Sequence, residues 1–192
     1  MKNREKREGP PGRPSLMETR MLVFTAFFAA LTAVGAFLAI PVEPVPFSLQ
    51  TFFVLMAGVV LGPRYGALSQ GVYTLLGLVA PVYAGGASGP GILFGPRGGY
   101  IFGFIAAALV VGFLSRGSTR SVRGYVQVAG AMLAGVLVIY GGGMLTLHLV
   151  LGLDFRQAFL GGVLPFLPLD ILKAFLAAPL SLRIKKHVEG FK

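Results

Sequence analysis

Five long stretches without a charged side chain dominate this sequence. They cover residues 21–40, 44–63, 65–96, 98–115 and 124–153. A helix that crosses the hydrocarbon core of a membrane needs about 20 mostly apolar residues. Only 12% of the 192 residues are charged, which is about half the proportion in a soluble domain. The chain is therefore expected to be a polytopic membrane protein, which excludes soluble enzymes, secreted disulfide scaffolds and disordered chains.

Six membrane spans fit the pattern of charges, prolines and glycines. Only helices and closed barrels satisfy their backbone polar groups in lipid, and these uninterrupted apolar runs lack the alternation of a barrel. The predicted fold is an all-α bundle with a tight turn at residues 62–64 and an ordered or re-entrant loop over residues 81–97. The expected spans are residues 17–40, 48–61, 65–80, 98–115, 124–151 and 157–186.

The distribution of positive charges predicts the orientation of the bundle, because Lys and Arg collect in cytoplasmic loops. With the N-terminus inside, 14 of the 17 Lys and Arg face the cytoplasm; Arg97 and Arg156 lie outside, and Lys173 lies within the sixth span. Both termini are thus predicted to be cytoplasmic. The expected parts are a basic disordered tail (1–16), a six-helix transmembrane substrate-binding domain (17–187) and a C-terminal tail (188–192).

Few residues could support catalysis. The sequence has no cysteine and no phosphate-binding Gly-Lys-Ser/Thr loop, which argues against ATP hydrolysis by this chain. His148 and His187 lack acidic companions at ligand spacing, so we interpret them as interfacial residues and predict no metal site. The spans contain neither paired acids nor a Ser/His constellation. An enzyme is therefore not expected.

The sixth span contains the segment Pro165-Phe-Leu-Pro168-Leu-Asp170-Ile-Leu-Lys173. Each ionisable group within a span costs about 2.5–3.5 kcal/mol, so such groups tend to face partners or ligands. Asp170 and Lys173 are three residues apart and share one helix face, and the two prolines free backbone carbonyls beside them. Either the two residues are only an internal ion pair, or they form an outward-facing site where Lys173 binds a carboxylate and Asp170 accepts N–H hydrogen bonds.

Two further outward-facing segments could complete this site. Uncharged polar side chains at the entry to the second span could hydrogen-bond a ligand. Ser48 could equally be only the N-cap of that helix, because serine is a favoured cap residue. The glycine-rich connection before the fourth span allows close backbone approach and has tyrosines that could wall a flat ligand, although such loops are more often structural. The candidate binding residues in these segments are Phe47, Ser48, Gln50, Tyr83, Arg97, Gly98 and Tyr100.

The first span contains two pairs of small residues spaced four apart, Ala26 with Ala30 and Ala29 with Ala33. Small residues at this spacing let another helix approach closely in lipid. This face either packs inside the bundle or docks another membrane subunit.

Four sequence blocks resemble the BioY family, the biotin-specific substrate-capture (S) component of energy-coupling factor (ECF) transporters. The resemblance extends over residues 17–186. The blocks are PFSLQTFFVLMAGVVLGPRYGALS (46–69), PVYAGG (81–86), GPRGGYIFGF (95–104) and LPFLPLDILKA (164–174).

The resemblance implies a six-helix protein of a prokaryotic cell membrane that binds biotin from the external side, as transported ligand and not as a cofactor. It implies partners, namely a transmembrane coupling (T) subunit and two ATP-binding-cassette ATPases. The family's acid and lysine match Asp170 and Lys173, its polar helix entry matches Gln50, and its coupling face matches Ala26, Ala30 and their neighbours.

This chain departs from the family pattern at three positions. Ser48 replaces the usual threonine, Arg97 the usual small hydroxyl residue, and Leu169 the usual glycine. Biotin fits the residues present, with a carboxylate for Lys173 or Arg97, ureido N–H groups for Asp170, and apolar edges for the aromatic rings.

Two alternatives remain open from the sequence. One is an S component for another vitamin such as thiamine or riboflavin, which the lack of a ligand carboxylate for Lys173 disfavours. The other is a membrane protein without a transport role, in which the Asp170–Lys173 pair is structural.

Overall fold

The computed structural model describes residues 16–41 and 45–189 and shows helices joined by short connections. The expected disordered tail falls almost wholly on residues 1–15, outside the described part, as do the last three residues. The helices are α1 (Leu16–Phe37), α2 (Gln50–Val79), α3 (Pro90–Leu93), α4 (Gly98–Leu114), α5 (Val122–Leu151), α6 (Phe155–Gly162) and α7 (Leu167–Glu189). Strands β1 (Ala39–Ile40) and β2 (Phe47–Ser48) form one antiparallel pair.

Three of the described helices, α1, α2 and α5, are long and apolar enough to cross a membrane. Helices α6 and α7 meet the same criteria when taken together. Large apolar side chains such as Phe37, Val79 and Leu149 are exposed on the outer surface, as expected where lipid is the solvent. The all-α membrane fold is confirmed, whereas the count of six spans and the orientation of the termini stay predictions.

Helix α2 folds back on itself. Gly62 has a φ of 80° and leaves the helical conformation, which a glycine adopts without steric cost. The side chains of Gln50 and Tyr73 are hydrogen-bonded although they are 23 residues apart, a separation of about 34 Å in a straight helix. The tight turn predicted at residues 62–64 is therefore present, and the two arms of α2 are antiparallel neighbours.

The segment predicted as a single sixth span is broken. Helix α6 ends at Gly162, α7 begins at Leu167, and the two axes differ by 56°. Pro165 lies in the break and cannot donate a backbone hydrogen bond, whereas Pro168 lies in the first turn of α7, where none is needed. The segment predicted as the sixth span therefore consists of two helices, which meet near the prolines that the sequence pointed to.

The small residues of α1 point in two directions. Ala29 and Ala33 are buried in the core, whereas Ala26 and Ala30 are exposed. We expected all four alanines to form one face for a partner subunit. This expectation is corrected, because this protein's own side chains cover Ala29 and Ala33. The exposed pair alone remains available to another helix.

The connection between α2 and α4 is ordered, as predicted. The backbone N–H of Tyr83 donates to the carbonyl of Ala87 at 3.0 Å, and that of Gly89 donates to the carbonyl of Gly77 at 2.8 Å. The ring of Tyr83 packs directly on Gly77, where any side chain would overlap it. This packing holds the loop over the end of α2.

The turn of α2 and the ends of α4 and α7 meet at one end of the bundle, which we call the basic end because Arg64, Arg116 and Lys185 lie there. A side chain at Gly112 of α4 would overlap the backbone of Pro63, so the turn lies directly against α4. The first residues of α2, α4 and α7 lie at the opposite end.

Candidate ligand-binding site

A cavity of about 640 Å³, part of it open to solvent, lies at the end opposite the basic end. The start of α2, the start of α4, the middle of α5 and the start of α7 all contribute side chains. Eight of the nine predicted binding residues line it, namely Phe47, Ser48, Gln50, Tyr83, Arg97, Tyr100, Asp170 and Lys173.

Asp170 and Lys173 form a buried ion pair in this cavity. The Nζ of Lys173 lies 2.7 Å from Oδ1 of Asp170 and donates to the backbone oxygen of Ser48 at 2.6 Å. It also lies 3.9 Å from the centroid of the Phe47 ring, a cation–π distance. Both side chains are less than one-tenth exposed. The pair predicted from the i, i+3 spacing is therefore present and lines the cavity.

The second carboxylate oxygen of Asp170 is held by a residue that the sequence analysis did not single out. The hydroxyl of Tyr140, in the middle of α5, donates to Oδ2 at 2.6 Å. Each carboxylate oxygen can accept more than one hydrogen bond, so Asp170 keeps acceptor capacity towards the cavity. The one sequence signal for Tyr140 was a phenol in the middle of an apolar span.

Aromatic rings form the walls of the cavity. Phe47 and Phe166 are stacked, with centroids 6.4 Å apart and planes at 4°. Across the cavity, Tyr73 packs against Tyr83 at 5.8 Å and against Phe104 at 6.4 Å. Mostly apolar walls with a few polar groups are typical of small-molecule sites. The sequence pattern indicated Phe47 and Tyr83 but not the other three rings.

The polar entry to α2 forms a short hydrogen-bonded chain. The hydroxyl of Ser48 donates to Oε1 of Gln50 at 2.8 Å, and Nε2 of Gln50 donates to the hydroxyl of Tyr73. That hydroxyl donates to the carbonyl of Val82 at 3.2 Å. The cap residue of α2 is Leu49. The hydroxyl of Ser48 also accepts from the backbone N–H of Gln50 at 3.4 Å, so Ser48 contributes both to the start of the helix and to this series of hydrogen bonds.

The two tyrosines of the glycine-rich connection offer rings to the cavity and use their hydroxyls elsewhere. Tyr83 donates to the carbonyl of Thr74 at 2.7 Å, and Tyr100 donates to the carbonyl of Gly162 at 2.8 Å. Burial raises the pKa of the Tyr83 hydroxyl above its ordinary value, so this hydroxyl stays a hydrogen-bond donor.

Arg97 lines the cavity at the cap position of α4, whereas Gly98 is not among the lining residues. A side chain at Gly98 would overlap the carbonyl of Leu93, so this glycine allows α3 to pack against α4. Thr146 of α5 anchors the same segment, since its hydroxyl donates to the carbonyl of Pro96 at 3.1 Å and accepts from the N–H of Gly99 at 3.2 Å.

The described residues contain no group of three or more His, Cys, Asp or Glu side chains that could hold a metal ion.

Fold and site together define a polytopic membrane protein with an aromatic-walled cavity for a small molecule and a buried ion pair within it. The sequence matches the BioY family over residues 6–190. The chain belongs to the BioY family.

Relatives and a solved structure agree with this assignment. The chain is 40% identical to the biotin transporter BioY of Thermotoga maritima over 87% of this chain and 96% of that protein. It is 41% identical to the probable biotin transporter BioY of Pyrococcus horikoshii over 88% and 98% of the two chains. The crystal structure of the S-component for biotin from an ECF-type ABC transporter matches with a TM-score of 0.82 and 29% identity, covering 91% of this chain and 95% of that chain.

The environment of the protein follows from its fold and its relatives. Its apolar helices and the membrane transporters that it matches identify a multi-pass protein of the prokaryotic plasma membrane.

Proposed function

We propose that this protein is the substrate-capture component of a biotin transporter, which binds biotin from the external side and delivers it to the cytoplasm with an ECF energising module. The observation that carries this proposal is the buried Asp170–Lys173 pair within an aromatic-walled cavity. The names of the curated relatives, biotin transporters, support the choice of ligand.

The ion pair fits the ureido ring of biotin. This ring has one carbonyl oxygen flanked by two N–H groups, so it needs a donor and an acceptor side by side. Lys173 and Asp170 lie 2.7 Å apart, which lets the ammonium donate to the ureido oxygen while the carboxylate accepts an N–H. The flat apolar bicycle then lies among the aromatic walls.

This arrangement assigns the carboxylate of biotin to Arg97. The two ends of biotin lie several bonds apart, so a ureido ring at Asp170 keeps the carboxylate away from the adjacent Lys173. Arg97 lines the same cavity at the start of α4, where the helix dipole favours a negative charge. From the sequence, Lys173 and Arg97 were both candidates for this role, and the 2.7 Å distance between Lys173 and Asp170 favours Arg97.

The direction of uptake is inferred from the charges. The cavity and the basic end lie at opposite ends of the bundle, and basic residues face the cytoplasm in membrane proteins. The cavity is therefore assigned to the external side.

The proposed role is capture without catalysis. ATP hydrolysis is assigned to two ATP-binding-cassette ATPases, which act through a transmembrane coupling subunit. The exposed Ala26 and Ala30 of α1 are the proposed contact with that subunit, because small side chains allow close helix approach in lipid.

Equilibrium binding tests the choice of ligand. We expect the purified protein in detergent to bind biotin and to leave thiamine and riboflavin unbound at the same concentrations. Binding of another vitamin in place of biotin would support an S component of different specificity. A folded, monodisperse protein that binds none of the three would support a structural role for the ion pair.

A further inference from the structure

The ligand cavity has a buried inner part and a half-buried mouth. Tyr140 and Asp170, which line the inner part, are each 5% exposed. The lining residues Ala84, Ile92 and Arg97 are half-buried instead. Part of the cavity is open to solvent, and a solvent opening lies where the lining residues are accessible. The mouth of the cavity therefore lies beside these three residues.

Hydrogen bonds fix the two segments that border the mouth. Residues 45–48 line the cavity and are half-buried, and β2 within them pairs with β1. In the connection between α2 and α4, the N–H of Gly86 donates to the carbonyl of Tyr83 at 3.0 Å, and that of Phe94 donates to the carbonyl of Pro90 at 2.9 Å. The mouth is therefore a defined part of the fold.

The connection beside the mouth leaves space unfilled. A Cβ at Gly85, Gly86 or Gly91 would meet no described atom within 4 Å. Gly85 and Gly86 directly follow Ala84, and Gly91 directly precedes Ile92. The protein thus adds no bulk next to two of the residues at the mouth, which leaves room there for a chain attached to a ligand.

The proposed orientation of biotin directs its carboxyl group towards this mouth. The ureido ring lies at the buried pair of Asp170 and Lys173, and the carboxylate is assigned to Arg97. An amide at this carboxyl group keeps the ureido ring and the bicycle of biotin unchanged. It removes the negative charge and so weakens one charge-assisted contact, but it adds nothing to the buried part of the ligand.

We propose that the site also binds amides of biotin in which the carboxyl group is joined to an amine, with the attached group outside the cavity. Biotinyl-lysine, in which biotin acylates the side-chain amine of lysine, represents this class of ligand. The inference rests on the proposed function, because it requires the ureido ring to lie at the ion pair.

Competition binding to the full-length protein in detergent tests the proposal. Radiolabelled biotin is displaced by unlabelled biotin, by biotinyl-lysine or by biotin methylated at a ureido nitrogen. We expect biotinyl-lysine to bind within about tenfold of biotin, as for loss of one charge-assisted hydrogen bond. The ureido-methylated compound should bind at least about a hundredfold more weakly, because it loses an N–H and adds bulk beside the buried ion pair.

A bulky side chain at the mouth gives a second test. Ala84→Trp should weaken the binding of biotinyl-lysine about tenfold or more relative to that of biotin, because it narrows the path of the attached group. The matched control is Ser88→Trp, which adds the same ring to an exposed residue of the same connection that does not line the cavity. Its ratio of the two affinities should equal that of the wild-type protein.

The outcomes separate this proposal from the proposed function. If biotin binds but biotinyl-lysine binds no better than the ureido-methylated compound, the proposal is overturned and the proposed function stands. An unchanged ratio of affinities in the Ala84 variant would also overturn it, because the attached group would then not pass this residue. A folded protein that does not bind radiolabelled biotin at all would contradict the proposed function, and this inference with it.

Discussion

The hydroxyl of Tyr140 and the carboxylate of Asp170 form a buried hydrogen bond of 2.6 Å that joins α5 to α7. Because Lys173 holds the other oxygen of the same carboxylate, Asp170 is fixed from two helices. The orientation of Asp170 therefore depends on the packing of α5 against α7 as well as on its own helix.

Tyr140→Phe should weaken biotin binding by about tenfold or more, since it removes a hydrogen bond to a charged group worth about 1.5–3 kcal/mol. Isothermal titration calorimetry in detergent measures the change. Tyr125→Phe removes a hydroxyl from the same helix outside the cavity and should leave the affinity unchanged. Equal affinities for both variants would show that Tyr140 does not orient the acid.

Asp170→Asn and Lys173→Met should each reduce biotin affinity by about ten- to a hundred-fold, since each leaves a buried charge without its partner. The losses of binding free energy in the two single variants should not be additive, because the two side chains are in direct contact. A double-mutant cycle on binding free energies measures this coupling. Independent, additive losses would contradict a shared contact of the pair with the ureido ring.

Arg97→Gln tests the orientation of the ligand. We expect the wild-type protein to prefer biotin to biotinamide, which lacks the negative charge, by about tenfold, as for a charge-assisted hydrogen bond. The variant should bind both compounds equally. If Arg97→Gln keeps the preference while Lys173→Met loses it, the carboxylate lies at Lys173 and the ligand is reversed.

Gly99→Ala should destabilise the protein, because a side chain at this position would overlap the carbonyl of Gly142 where α4 crosses α5. Overpacking of this kind costs about 1–3 kcal/mol, visible as a lower melting temperature in detergent. Gly141→Ala, one residue from that contact, has nothing within 4 Å and should be neutral or slightly stabilising. Similar melting temperatures for both variants would contradict the close helix crossing.

Ala30→Trp should block assembly with the coupling subunit while leaving biotin binding intact, since a large side chain keeps helices apart at a small-residue contact. Copurification with the energising subunits measures assembly. Leu137→Trp, on an exposed part of α5, is the control and should assemble normally. Normal assembly of the Ala30 variant would remove the outer face of α1 from the proposed interface.

The sequence was sufficient for the fold class, the turn at Gly62 and the Asp170–Lys173 pair, because composition, local turn chemistry and helical spacing determine them. It did not identify Tyr140 or Phe166, since their contacts arise from the crossing of separate helices. Nor could it separate the two faces of α1. In lipid both the core side and the outer side of a helix are apolar, so hydrophobicity does not tell Ala29 from Ala30.

The bonds from Lys173 to Asp170 and to the carbonyl of Ser48 use two of the three N–H donors of its ammonium. In the proposed binding mode the third donor reaches the ureido oxygen of biotin, so the ligand adds a hydrogen bond without breaking the two that orient the ammonium. The same contacts keep the charge satisfied when no ligand is present. A capture protein built in this way can return to a stable resting state after each delivery.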